Sequence, residues 1–136
     1  MPESNAAMEI MVGGEEQRLR LSCSEAWTVL RGEAMRAAAR EPLLAGFLQG
    51  ALLGHDGLAP ALAGMLARKL ADASIGSDAL AGLVREAMAA DGSIVAAACA
   101  DVIAIYERDP AAGDLVTPFL YFKGYQALQW HRVAHW

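Results

Sequence analysis

A carboxylate at the C-terminal end of a helix opposes the helix dipole at a cost of about 0.3–1 kcal/mol. Asp109 stands at such a place, directly before Pro110, whose ring pushes the preceding residue out of helical geometry. A cation nearby offsets that cost. Two readings follow. Asp109 is a solvated turn residue beside Arg108, or it receives the ammonium group of a bound ligand. His131 and His135 are four residues apart, a spacing at which two imidazoles on one helix share a metal ion. Arg132 stands where the HExxH pattern has its glutamate, and no third ligand is near in sequence. The expectation is no metal, with the two rings serving packing or interface contacts. Lys123 reads as a snorkelling surface cation, and Cys99 as a small core residue. Glu33 reads as an exposed helix position pairing with Arg36. The chain has no P-loop, GxGxxG, GxSxG or CxxC pattern, which weakens the idea of a self-contained enzyme.

The elements that position these residues are helices. Ser22-Cys-Ser-Glu25 has capping-box spacing, and the helix after it sets Trp27, Leu30, Ala34 and Ala37 or Ala38 on one face. Glu41-Pro42 restarts the chain, and Pro42 to Leu53 carries Leu44, Phe47, Leu48, Ala51 and Leu52 at helical spacing. Asp56 is a candidate cap for Leu58 to Ala73, with Leu58, Leu62, Met65, Leu66 and Leu70 inward. A helix from Ser77 or Asp78 turns Leu80, Leu83, Val84, Ala87 and Met88 inward. Asp91-Gly-Ser93 separates it from Ile94 to Glu107, with Ala97, Ala98, Val102, Ile105 and Tyr106 inward. Thr117 as N-cap and Pro118 at the first helical position then start a helix holding six of the nine aromatic residues. Gly124 within it costs about 1 kcal/mol relative to alanine, which close approach of another backbone would explain. No terminator follows before Trp136, so the helix is expected to lean on something beyond it.

The expected fold is all-α, a compact bundle of about six helices over residues 22–136, behind a weakly ordered lead-in over 1–21 broken by Gly13-Gly14. The 136 residues suffice for one core, and alanine, the best helix former, supplies about a fifth of them. A net charge of −5 argues against a nucleic-acid binder held by phosphate contacts. The longest uncharged run near the middle, Pro42 to Gly54, is too short to cross a bilayer, and the start lacks a cationic segment before an apolar run. The expectation is a cytoplasmic protein with no membrane contact, its Cys23 and Cys99 both reduced.

Several runs taken in order resemble the N-terminal helical domain of bacterial serine O-acetyltransferases. They are Glu33-Ala34, Glu41-Pro-Leu-Leu-Ala-Gly-Phe47, His55 with Leu58, Ala61-Leu62 and Leu66-Ala-Arg-Lys-Leu70. The strongest is Ala100-Asp-Val-Ile-Ala-Ile-Tyr-Glu-Arg-Asp-Pro110. Thr117-Pro-Phe-Leu-Tyr-Phe-Lys-Gly-Tyr125, Ala127-Leu-Gln129 and His131-Arg-Val-Ala-His-Trp136 complete it. The likeness covers about residues 25–136. Two departures, Gly92 in place of a proline and Leu115 in place of an aromatic, leave the Arg-Asp-Pro run intact.

The resemblance implies an enzyme that uses acetyl-CoA as co-substrate to acetylate the serine hydroxyl, giving O-acetylserine for cysteine synthesis. In the family the helical domain precedes a left-handed β-helix that supplies the catalytic histidine and its aspartate, so no catalytic residue is expected in this chain. His131 and His135 match helix positions and are not that base. Asp109 matches the aspartate of the Arg-Asp-Pro motif, a substrate contact that meets L-serine or the feedback inhibitor L-cysteine. No cofactor is expected on this domain. The family likeness also implies a homo-oligomer, with helical domains joining two trimers across a two-fold axis, and raises cysteine synthase as a partner. A stand-alone helical interaction module, without catalysis, is the alternative reading.

Overall fold

The structure, a computed structural model, describes residues 21–109 and 111–136. The lead-in expected over 1–21 lies outside these residues except for Leu21, and so does Pro110. Seven α-helices follow one another: α1 (Cys23–Arg40), α2 (Pro42–Leu48), α3 (Leu58–Leu70), α4 (Ser77–Ala90), α5 (Ser93–Arg108), α6 (Val116–Tyr121) and α7 (Lys123–His135). No strand occurs among the described residues, as expected of an all-α chain.

Local chemistry sets most boundaries. Ser22 Oγ accepts from the Glu25 amide at 3.1 Å, which caps α1 and contributes about 1 kcal/mol. α2 runs into a π-helical turn, Gln49–Leu53, which ends where the Gly54 amide donates to Gln49 O at 2.8 Å. A Cβ on Gly54 would lie 2.9 Å from that same carbonyl, so the turn requires glycine. α3 has Gly57 as its N-cap with no side-chain cap bond, so the capping role expected of Asp56 is not found. Asp72 Oδ1 accepts from the Ser74 and Ile75 amides, and Asp91 Oδ1 from the amide and hydroxyl of Ser93. The second of these turns lets α4 and α5 meet at 100°.

The aromatic segment departs from the single helix expected. It is two helices broken at Phe122, whose φ of −81° and ψ of 105° are extended. Thr117 is not the N-cap. The helix begins at Val116, and Asp114 Oδ1 accepts from the Thr117 amide at 2.8 Å. Pro118 is accommodated because the first amides of a helix have no partner within it. The break places Gly124 in the first turn of α7, where a Cβ would meet nothing within 4 Å. No close backbone approach explains that glycine.

The core joins all seven helices. Leu30 from α1, Leu48 and Leu52 from α2 and its turn, Leu62 and Leu66 from α3, Val84 from α4, Val102 from α5 and Phe119 from α6 are all buried. α7 closes the bundle with Tyr125 and Val133, and Trp130 Nε1 donates to Leu66 O at 3.0 Å. Leu44 and Phe47, expected inside, are exposed, as are Leu70 and Leu83. Among the described residues no single helix is long and apolar enough to cross a membrane.

Candidate functional site

Asp109 forms the C-cap of α5 with φ −101° and ψ 114°, so the helix ends at the residue before the proline, where the sequence places its end. Its amide still donates to Ile105 O at 2.9 Å. Its Oδ1 accepts from the Ala111 amide at 2.9 Å, and its carbonyl accepts from the Ala112 amide at 3.0 Å. Two backbone donors thus meet part of the demand the dipole creates. No ion pair with Arg108 occurs among the described residues, so that cation does not supply the offset.

Asp109 lines an open groove of about 730 Å³ between the end of α5 and the α6–α7 break. Ala104, Ile105, Phe122 and Tyr125 give it apolar walls, and Arg108, Asp109 and Lys123 line it with charge of both signs. No histidine, serine or cysteine lines it. Such a groove can hold a small charged molecule by an ion-paired hydrogen bond, but it has no nucleophile and base in sequence. Tyr125 is no base either. Burial holds its hydroxyl far above the ordinary tyrosine value, with Asp101 adding to the effect and Arg132 opposing it. That hydroxyl donates to Ala98 O at 3.0 Å.

One turn of helix behind the groove lies a polar network between α5 and α7. Asp101 Oδ2 accepts from Gln129 Nε2 at 3.0 Å and from Arg132, and Arg132 donates to Gln129 Oε1 at 2.8 Å. Gln129 is fully buried, and Gln126 donates from Nε2 to Leu120 O at 2.7 Å, which secures the break at Phe122.

Glu33 overturns its expected place. It does not sit exposed beside Arg36. It is half-buried, and its Oε2 accepts from the Leu115 amide at 2.9 Å and the Val116 amide at 3.1 Å. Desolvation raises its pKa above the ordinary value of 4.5. The two amides and Arg36 pull it down, and Asp114 adds to the rise. The sequence does carry the signal: Leu30, Glu33, Ala34 and Ala37 share the i, i+3, i+4, i+7 spacing of a buried face.

Cys23 and Cys99 also depart from expectation. Instead of two separate reduced thiols they form a disulfide, with 5.5 Å between their Cα atoms, tying the start of α1 to α5. Their separation of 76 residues hides the fact that these helices pack together. Cys99 is nonetheless buried in the core as expected. His131 and His135 are exposed, their ring centroids 4.1 Å apart, and no further ligating residue joins them among the described residues.

Comparison with known proteins agrees with this architecture. The family model for the serine acetyltransferase N-terminal domain matches residues 26–130. The serine acetyltransferase of Escherichia coli strain K12 is 42% identical over 119 residues, which are 85% of this chain and 44% of that protein. A solved serine acetyltransferase in complex with CoA superposes with a TM-score of 0.82 at 37% identity, covering 84% of this chain and 48% of its own. The soybean serine acetyltransferase complexed with serine does so with a TM-score of 0.80 at 38% identity, over 83% and 46%. The chain therefore spans under half the length of these relatives. By the family match across most of its helices and by this shared bundle, the chain belongs to the serine acetyltransferases, as their N-terminal helical domain.

Proposed function

We propose that this bundle, residues 22–136, serves an enzyme that acetylates L-serine from acetyl-CoA, and that Asp109 binds the serine ammonium group. In that reaction the serine hydroxyl oxygen bonds to the thioester carbonyl carbon, the carbon–sulfur bond breaks, and CoA leaves as its thiol. The hydroxyl proton goes to a histidine base that the family likeness assigns to a β-helix domain, outside this chain. The helical domain's part is to present a carboxylate at the edge of that site. L-cysteine carries the same ammonium and carboxylate as serine and competes for the same contact, and the setting is the cytoplasm.

The observation that supports this most is the position of Asp109. It is the aspartate of the Arg-Asp-Pro run, and it lines a groove with apolar walls. In an acetyltransferase carrying this domain, Asp109→Asn is expected to raise the serine KM about tenfold or more and to leave the acetyl-CoA KM within about twofold. Equal effects on both substrates would assign Asp109 to folding. The 136-residue chain alone is expected to release no CoA thiol, and turnover by it would contradict a base placed elsewhere.

Assembly is the domain's second task. Leu43 is 96% exposed, and Leu44, Phe47 and Tyr121 are also exposed. Phe47, Met65, Leu120 and Tyr121 line one depression of about 240 Å³ together with Arg68 and Lys69. Exposed apolar area of this kind marks a contact surface, and an isologous contact between two copies joins two trimers. Light scattering at high micromolar concentration should find the chain as a dimer, and a strict monomer would count against this surface. Whether cysteine synthase docks on the whole enzyme is a question for co-purification.

A further inference from the structure

We infer that Glu33 is a positioning residue for Asp109, acting through the connection between α5 and α6. The inference rests on the proposed role of Asp109 at the serine site. Glu33 lies in the middle of α1, far from Asp109 in sequence, yet its single oxygen Oε2 receives both amides at the far end of that connection, Leu115 and Val116. Asp109 closes the near end, accepting from the Ala111 amide by its side chain and from the Ala112 amide by its backbone. Between them Ala112 and Leu115 are buried. The connection is short and fastened at both ends by carboxylates, one from α1 and one from the groove-lining Asp109.

Two features set Glu33 apart from an ordinary packing residue. A carboxylate on the buried stripe of a helix costs desolvation that alanine or leucine would not, and that cost is visible in its raised pKa. Its acceptors are used on backbone amides of a loop and not on another side chain, so what it fixes is a chain path. Moving that path rotates Asp109 about the Ala111 contact, and a charge-assisted contact to an ammonium group falls off steeply with misalignment.

The test is a double-mutant cycle on serine kinetics in an acetyltransferase carrying this domain. Glu33→Ala should raise the serine KM about fivefold while the acetyl-CoA KM stays within about twofold. Glu33→Gln retains a carbonyl oxygen that can accept both amides, so it should recover most of the loss, and Glu33→Asp, one methylene too short to reach them, replaces the alanine variant if that does not fold. In an Asp109→Asn background either substitution should add less than about twofold. Full additivity, or equal effects on both substrates, would overturn the inference. A second readout separates it from the reading beneath it: the Ala111 amide resonance of the 136-residue chain, which reports the Asp109 contact. If Asp109→Asn leaves the serine KM unchanged, the proposed role of Asp109 falls. An Ala111 resonance that moves in Glu33→Ala and returns toward the parent position in Glu33→Gln then still supports the positioning link, and one that moves in neither overturns it.

Discussion

Asp101 and Asp109 lie on the same helix about two turns apart and meet opposite fates. Asp101 is held by Gln129 and Arg132, both from α7, so its charge is spent on joining two helices. Among the described residues the Asp109 side chain is held only by its own loop, and the residue lines an open groove. A carboxylate whose partners are all supplied by the fold has nothing left for a ligand. One left with local backbone partners at an unfavourable helix end is ready for an incoming cation. The two aspartates of one helix thus differ in partner type, and on the proposed role of Asp109 that difference separates a structural acid from a ligand-binding one.

Substitutions sharpen that contrast in order of size. Tyr125 is buried between the two regions, its hydroxyl on Ala98 O and its ring 6.1 Å from that of Phe119. Tyr125→Ala should cost about 3–5 kcal/mol by chemical denaturation, since it leaves a cavity and removes the hydroxyl's bond to Ala98 O. Arg132→Ala strips Asp101 of its cation. Because both side chains are about a quarter exposed (27% and 26%), water repays part of the loss, and about 1–2 kcal/mol is expected. Asp109→Asn should stay within about 0.5 kcal/mol, because an amide oxygen can still accept from Ala111. If Asp109→Asn proves as destabilising as Arg132→Ala, the distinction between the two aspartates fails.

The smallest effect is a pH dependence. Desolvation raises Glu33 above 4.5 in the folded chain, so the folded state holds its proton at a pH where the unfolded state has released it. Stability attributable to Glu33 is therefore greatest at acid pH and is lost as pH rises through the raised value. Asp72 and Asp91 act oppositely. Their amide and hydroxyl donors hold them below 3.8, so their contribution is present above that value and lost as pH falls through the lowered one. Urea unfolding of the parent chain and of Glu33→Gln from pH 4 to 7 should show the difference in stability moving in favour of the variant as pH rises. The opposite drift would mean that the two amide bonds outweigh desolvation.

The sequence made the helices legible because periodicity and capping are local. Ser22, Pro42 and the Asp91-Gly-Ser93 turn act where their spacing says they should. It also pointed to Asp109, since a carboxylate before proline at a helix end is a local oddity. What it hid was non-local. Glu33 reaches amides 82 and 83 positions away, and Cys23 reaches Cys99 only because α1 and α5 pack side by side. The aromatic segment misled for a different reason. Ring content says that the segment is buried, but it does not say that the backbone leaves helical geometry at Phe122 so that Gln126 can reach Leu120 O. Leu44 and Phe47 fit a helical stripe whose Leu48, Ala51 and Leu52 are buried, yet they are themselves exposed, since periodicity fixes which residues share a face and not how much of that face its neighbours cover.

The central claim is that the Asp109 carboxylate recognises the ammonium group of the substrate. The most direct test compares serine with 3-hydroxypropanoate, which keeps the hydroxyl and carboxylate and lacks the amine, in an acetyltransferase carrying this domain. The parent enzyme should prefer serine strongly in kcat/KM, and Asp109→Asn should shrink that preference by about tenfold or more. A preference that survives the substitution undiminished would contradict the account.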